Sequence, residues 1–322
     1  MNIENLPREI LHKIVSNLTF WERRNLKKCT RTLRSAAITA QMVFSDTVKF
    51  SEIAHFTENR VESFIQLCFD DICMEFLKLI GTPAATCVKI YKSGLIVKKL
   101  TVEQQRFSDV AKKYLRDIVF KENVICECCD TNYIFDEDEG DLLNDFEKLN
   151  TRKFRFFEPA ELEHLDDIRL KSSVALWLKH VNPRYLRDLV VYKADFDCSL
   201  TDSASIFQVL DRLIILRRSD ISDAVLRNLK ALDVELDPAN VTVDGINQII
   251  KKWTAQKVPR GSRFVYYCDE TKDFSIDVLT RNIRDVSGIT NTKSVIPVTS
   301  DRHLLIWVDS SSVNIECMKT KA

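Results

Sequence analysis

Glycine and proline are scarce in this chain, at 6 and 7 among 322 residues. So few breakers leave little room for disordered linkers, and the 45% hydrophobic and 29% charged residues are those of an ordinary folded chain. An excess of one charge is also missing: Lys plus Arg and Asp plus Glu are 47 each. A chain without net charge has no overall field to draw it onto nucleic acid or an anionic membrane. The local pairs Lys98-Lys99, Lys112-Lys113 and Lys251-Lys252 read as the wet faces of single elements. No run approaches the ~18 apolar residues that span a bilayer, and the opening MNIENLPREI holds two acidic side chains and no apolar core. The expectation is a cytoplasmic and/or nuclear protein with neither nucleic-acid nor membrane partners. Its ten cysteines are expected to stay reduced.

Catalytic and metal motifs are thin as well. The five histidines, His12, His55, His164, His180 and His303, fall in no pattern with Ser, Cys or Asp, and there is no phosphate-cradling glycine loop. Cys126-x-Cys128-Cys129 has thiols close enough to chelate zinc, but a structural site needs four ligands and no second pair exists. These cysteines read as small hydrophobes in a buried strand, and Cys68 and Cys73 as the same on a helix. The acidic run from Asp136 to Asp141 with Glu147 has the length of a calcium loop. It places Asp141 where that loop needs glycine and Gly140 where it needs a ligand. No metal, cofactor or catalytic residue is expected.

What the chain does have is concentrated at its start. Pro7 opens a helix whose first turn carries Glu9, matching the positive end of the dipole. Ile10, Leu11, Ile14, Val15 and Leu18 recur at helical spacing, which predicts one apolar face opposite His12, Lys13, Ser16 and Asn17. Thr19-Phe20-Trp21-Glu22 is a capping box announcing a second helix, with Leu26 and Cys29 expected inward and Arg23, Arg24, Lys27 and Lys28 outward. A third helix is predicted over 30–41 on Leu33, Ala37 and Ala40. Three short helices cannot bury all these groups among themselves, so some must face another body.

Leu6-Pro7-x-Glu9-Ile10, then Ile14, Leu18, Leu26, Cys29 and Leu33-Arg34, resembles an F-box over about residues 3 to 42. The resemblance implies docking onto a Skp-type adaptor and through it onto a cullin–RING ubiquitin ligase. It implies contact surface from Leu6, Pro7, Ile10, Ile14 and Leu18, with Leu26, Cys29 and Leu33 shared between contact and internal packing. Cys29 stands where many F-boxes have valine and is small and apolar enough to fit. Burying five aliphatic side chains at ~1.5–3 kcal/mol each is ample to drive such an interface.

From about residue 46 the pattern reads as alternating β and α segments, which predicts a largely parallel sheet. Helices are expected over 107–119, 141–149, 170–180, 202–210, 222–229 and 243–253. Strands are expected over 124–129, 153–157, 186–192, 212–216, 231–236 and 263–268, with a closing hairpin of 304–308 and 313–317. Leu186/Leu189/Val191, Leu210/Leu213/Ile215 and Leu229/Leu232/Val234 share a frame whose starts lie 24 and 19 residues apart, near the 20–29 of leucine-rich repeats. The Asn or Cys such repeats need is replaced by Ala194, Arg218 and Asp237, so the array would be irregular. The segment Val241 to Trp253, ending Ile-Ile-Lys-Lys-Trp, and the tail 274–317 resemble the F-box-associated regions of nematodes.

The expected fold class is therefore α/β: a three-helix F-box over 1–45, then a leucine-rich-repeat-like βα solenoid over 46–322 ending in a β-hairpin. The expected function is a non-catalytic substrate-recognition subunit of a Skp–cullin–F-box ubiquitin ligase, binding an unknown substrate protein through its C-terminal region. Two other readings stand beside it. One is a repeat-type binding scaffold whose N-terminal helices only cap the solenoid. The other is an α/β enzyme with a pocket at the C-terminal ends of its strands.

Overall fold

A computed structural model of the chain describes residues 3, 6–57, 60–79, 85–134, 146–157, 167–192, 206–217, 219–237, 240–268 and 274–320. It divides into two units: Met1–Asp130 with Leu142–Arg152, and Thr131–Asp141 with Lys153–Ala322.

The first unit begins with three helices, α1 (Arg8–Ser16), α2 (Phe20–Leu26) and α3 (Arg31–Thr39). Five strands follow in succession: β1 (Met42–Thr57), β2 (Arg60–Phe69), β3 (Ile72–Lys78), β4 (Thr86–Lys92) and β5 (Leu95–Val102). Each pairs antiparallel with the next. This corrects the expectation of βα units and a parallel sheet from residue 46. The physical reason lies in alternation: Ile65, Leu67 and Phe69 point to one face, as do Ile72, Met74 and Phe76, a period of two. The helix α4 (Phe107–Ile118) covers that face with Val110, Ala111 and Leu115, and Phe76 meets Tyr114 edge-on at 5.3 Å. The strand β6 (Val124–Thr131) then lies beside β1. The helices share this unit with the meander, so the boundary expected at residue 45 does not fall between the two units.

Cys68 and Cys73 are not helical. They sit opposite each other on β2 and β3 with Cα atoms 4.1 Å apart and are joined by a disulfide, against the expectation that all thiols stay reduced. The hairpin between β4 and β5 turns on Ser93 and Gly94, both at positive φ, which matches the right-handed twist of the strands.

In the second unit the alternation read from the sequence is present. Strands β7 (Thr151–Phe157), β8 (Asp188–Tyr192), β9 (Arg212–Leu216), β10 (Asp233–Leu236) and β11 (Arg263–Tyr267) pair parallel in that order. The helices α5 (Asp167–His180), α6 (Asp223–Asn228) and α7 (Val243–Gln256) join successive members, and a single turn, α8 (Ile276–Leu279), follows β11. Leu189, Val191, Leu213, Ile215, Val234 and Leu236 form one buried face of this sheet, and Trp177 of α5 and Trp253 of α7 are also buried. Lys153, Asp188, Arg212, Asp233 and Arg263 alternate in sign along one row of neighbours. Lys153 and Asp188 approach to 3.8 Å and Arg212 and Asp233 to 2.8 Å, favourable cross-strand pairs.

Beyond β11 the sheet becomes antiparallel through β15 (Ser312–Lys319), β14 (Arg302–Val308), β13 (Lys293–Thr299) and β12 (Ser287–Thr290). The expected closing hairpin is therefore β14–β15. A wholly parallel array is excluded for these strands because their short connections cannot carry a crossover. Of the helix expected over 141–149, the described residues 146–149 are not helical. The start of the helix expected over 202–210 lies outside the described residues, as do Ala194, Arg218 and the acidic run at 136–141.

The start of α7 carries a steric prediction. Asp223 accepts from the Thr242 backbone N–H at 2.9 Å and from its hydroxyl at 2.6 Å, and Thr242 in turn caps α7. A Cβ on Gly245 would lie 2.0 Å from Asp223 Oδ1. Gly245→Ala is expected to destabilise the protein by about 1–3 kcal/mol, although alanine is favoured over glycine in a helix by about 1 kcal/mol. The denaturant midpoint measures it, and an unchanged or higher midpoint refutes the clash.

Candidate functional site

The N-terminal helices are specified locally. Pro7 caps α1, with its carbonyl accepting from Leu11 N–H at 3.0 Å. The capping box of α2 is formed: Thr19 N–H donates to Glu22 Oε2 at 2.8 Å and Glu22 N–H to Thr19 Oγ1 at 3.4 Å. Thr30 Oγ1 accepts from Leu33 N–H at 3.4 Å and starts α3. Arg34 reaches back to the Lys27 carbonyl at 2.8 Å, satisfying the end of α2. His12 and Thr39 meet at 3.1 Å between α1 and α3.

The single apolar face expected of α1 is divided into two adjacent stripes. Leu11 and Val15 are 3% and 1% exposed and pack with Leu33, Ala36, Ala37 and Ala40, whereas Ile10 and Ile14 remain 47% and 38% exposed. The small side chains of α3 let the backbones approach, so one stripe is consumed internally and the other is left open. Leu18 and Leu26 are half-buried against the same cluster, Leu6 is half-buried, Pro7 and Cys29 are exposed, and Leu33 is buried. Of the eight residues singled out from the sequence, Pro7, Ile10, Ile14 and Cys29 thus present surface and Leu33 serves the interior.

Two positions on α2 and its end are reversed relative to expectation. Cys29 points outward from the turn after α2. Arg23 is 3% exposed, and its guanidinium donates to the carbonyls of Ser16 at 3.0 Å, Leu18 at 3.3 Å, Ala40 at 2.8 Å and Gln41. These carbonyls lie at and just beyond the ends of α1 and α3, where intrahelical donors run out; the Ala40 carbonyl is shared with Asn123. Burial lowers the Arg23 pKa from its ordinary value. No sequence signal marks the residue, because Arg23 lies in a run of charges that reads as solvated.

Beside this cluster, Phe20, Arg24, Lys27, Ile38, Met42 and Lys121 line part of a cleft of about 830 Å³ within the first unit. Asn123 closes one wall by donating to the Ile38 and Ala40 carbonyls at 2.8 and 2.9 Å, and Phe20 packs on Phe69 of β2 at 5.1 Å. Burial, then the charges of Lys121, Arg23 and Arg24, lower the Lys27 pKa. The helices are therefore seated on the meander by direct contacts.

Among the described residues no three His, Cys, Asp or Glu side chains gather as metal ligands, and no helix is long and apolar enough to cross a membrane. Cys126 and Cys129 are fully buried on β6, and burial pushes both thiols up. An alkylating reagent at pH 8 is expected to modify exposed Cys29 at least about tenfold faster than either, since the thiolate is the nucleophile. Mass spectrometry of a time course decides it, and equal rates would contradict the burial of β6.

Compared with known proteins, residues 3–39 match the F-box domain family. No curated protein and no solved structure gives a significant match to the chain. An F-box implies an adaptor-binding role in ubiquitin ligases, and proteins that carry one are typically non-catalytic receptors.

Proposed function

We propose that this chain is the substrate-recognition subunit of a Skp–cullin–F-box ubiquitin ligase, acting in the cytoplasm and/or nucleus. The observation that carries the reading is the open stripe of Pro7, Ile10 and Ile14 in the segment that matches the F-box family. Apolar side chains held outward on a helix whose other stripe is saturated have no partner left within the three-helix cluster. An apolar groove on a Skp-type adaptor supplies one. Leu6, Leu18, Leu26 and Cys29 border that stripe and extend the contact, while Leu33 supports it from beneath.

The remainder, 46–322, is the substrate-recognition region in this reading. Its βα series from β7 to β11 is read as an irregular leucine-rich-repeat-like array of the nematode F-box-associated kind. The chain itself makes and breaks no covalent bond. Its contribution is to raise the effective concentration of a target lysine near the charged ubiquitin carrier, which is brought by the cullin arm.

Co-expression with a Skp-type adaptor tests the proposal. The full chain is expected to copurify with the adaptor at one-to-one stoichiometry, and the adaptor to shield Cys29 from alkylation. Absence of a complex would favour the second reading, in which the helices only cap the body. That reading draws on the Phe20–Phe69 and Asn123 contacts, and it predicts that deleting the first forty residues unfolds the first unit.

A further inference from the structure

The two most exposed large apolar side chains among the described residues are not on the helices but on β5: Leu95 is 74% and Ile96 59% exposed, and Val97 beside them is 52% exposed. β5 is the edge of the meander and, among the described residues, pairs only with β4, which leaves one row of its backbone N–H and C=O groups without a strand partner there. The strand Leu-Ile-Val-Lys-Lys-Leu-Thr-Val is exposed along most of its eight residues. Such an edge is a template for another strand.

Charge decides which strand. Lys98 and Lys99 follow the apolar triplet, and neither pairs with a carboxylate among the described residues. The nearby acids are already engaged: Glu75 accepts from Tyr91 Oη at 2.6 Å and lies 3.9 Å from Lys89, and Asp71 lies 3.9 Å from Lys92. Lys99 is moreover paired directly opposite Lys89, a like-charge neighbour that costs stability. An acid arriving on the free side of Lys99 would offset that repulsion.

A second copy of the chain fits less well. The register shift between Ile90 and Tyr91 leaves Val97 as a bulge, and pairing two such strands would place a bulge in each. Pairing centred on the lysines would oppose four positive charges. Edge lysines and a bulge discourage indiscriminate pairing, and the uncompensated positive charge favours an acidic strand as the matching occupant.

We propose that β5 is a docking edge for an extended acidic–apolar segment of a partner protein, added as an antiparallel strand. Antiparallel geometry fixes the order in that segment: two acidic residues opposite Lys98 and Lys99, then three β-branched or aliphatic residues opposite Leu95 to Val97. The inference stands apart from adaptor binding, because β5 lies outside the segment that matches the F-box family.

The test uses the full chain and a fluorescein-labelled nine-residue peptide centred on Glu-Asp-Val-Ile-Val, with Lys-Lys-Val-Ile-Val as its charge-swapped control. Fluorescence polarisation is expected to show the acidic peptide binding about tenfold tighter than the control, from two exposed ion pairs. The double variant Lys98→Glu, Lys99→Glu is expected to reverse the preference with a melting temperature no lower than that of the wild type, since both side chains are exposed and Lys99→Glu removes the repulsion with Lys89. Hydrogen exchange over 95–102 is expected to slow when the acidic peptide binds. Equal binding of the two peptides, binding of neither up to millimolar concentration, or a preference the double variant does not alter overturns the proposal. So does a concentration-dependent dimer of the chain that Ile96→Lys dissolves, which would assign the edge to a second copy. Adaptor copurification is measured separately and is unaffected by any of these outcomes.

Discussion

Ile10→Asp is expected to abolish copurification with a Skp-type adaptor while leaving the chain's own melting temperature unchanged. The free protein has no reason to notice the change. Ile10 is nearly half exposed and stands in the first turn of α1, where a carboxylate is favoured by the helix dipole. In the complex the same carboxylate would be stripped of water against an apolar surface. That costs roughly 3 kcal/mol or more, or about 100-fold in affinity. Ile14→Asp should behave alike, being one turn along the same stripe. Leu11→Asp is the contrasting control: it buries a charge in the internal cluster and should unfold the helices outright. If the Ile10 variant binds as the wild type does, the docking surface is not the outer stripe of α1.

Arg23→Leu is expected to destabilise the first unit by about 3–5 kcal/mol, because several buried carbonyls lose their donor at once. The guanidinium is the common partner of Ser16 at the end of α1 and of Ala40 and Gln41, the first two residues after α3. Leucine fills much of the volume but donates nothing. Arg23→Lys should recover only part of the loss, since an ammonium cannot reproduce a fork that reaches four acceptors in one plane. Chemical denaturation measures the loss, and limited proteolysis should show cleavage spreading through 6–41. Although burial lowers the Arg23 pKa, arginine titrates far above neutrality, so the effect should be flat from pH 5 to 8. A variant as stable as the wild type would mean that these carbonyls are satisfied in another way.

Part of this architecture was legible in the sequence. The helix start at Pro7, the capping box at Thr19, the helix from Val243 with Trp253, and the parallel strands after residue 150 all carry short-range signals. Capping boxes act over three residues, and helical or strand periodicity over ten, so both are visible without a fold. The meander escaped because its strands are long and interrupted by charged residues that face away from α4, which mimics helical spacing over short windows. The disulfide partners Cys68 and Cys73 escaped because their pairing depends on the register of β2 on β3. Arg23 escaped because burial of a charge is decided by acceptors 17 and 18 residues away as well as by near neighbours.

By itself the sequence determined that an unusually apolar, well-capped helical module stands at the N-terminus, and that charge, metal ligands and catalytic motifs offer no competing explanation for it. It could not say which apolar residues the module keeps for itself. Hydrophobic periodicity records that Ile10, Leu11, Ile14 and Val15 are all water-avoiding, but adjacent stripes on a helix differ by only about 100°. The choice between them was made by α3, whose Ala36 and Ala37, with Ala40 just after it, admit Leu11 and Val15 and leave Ile10 and Ile14 outside. Burial is a property of two surfaces that meet, and only the tertiary structure brings the second one.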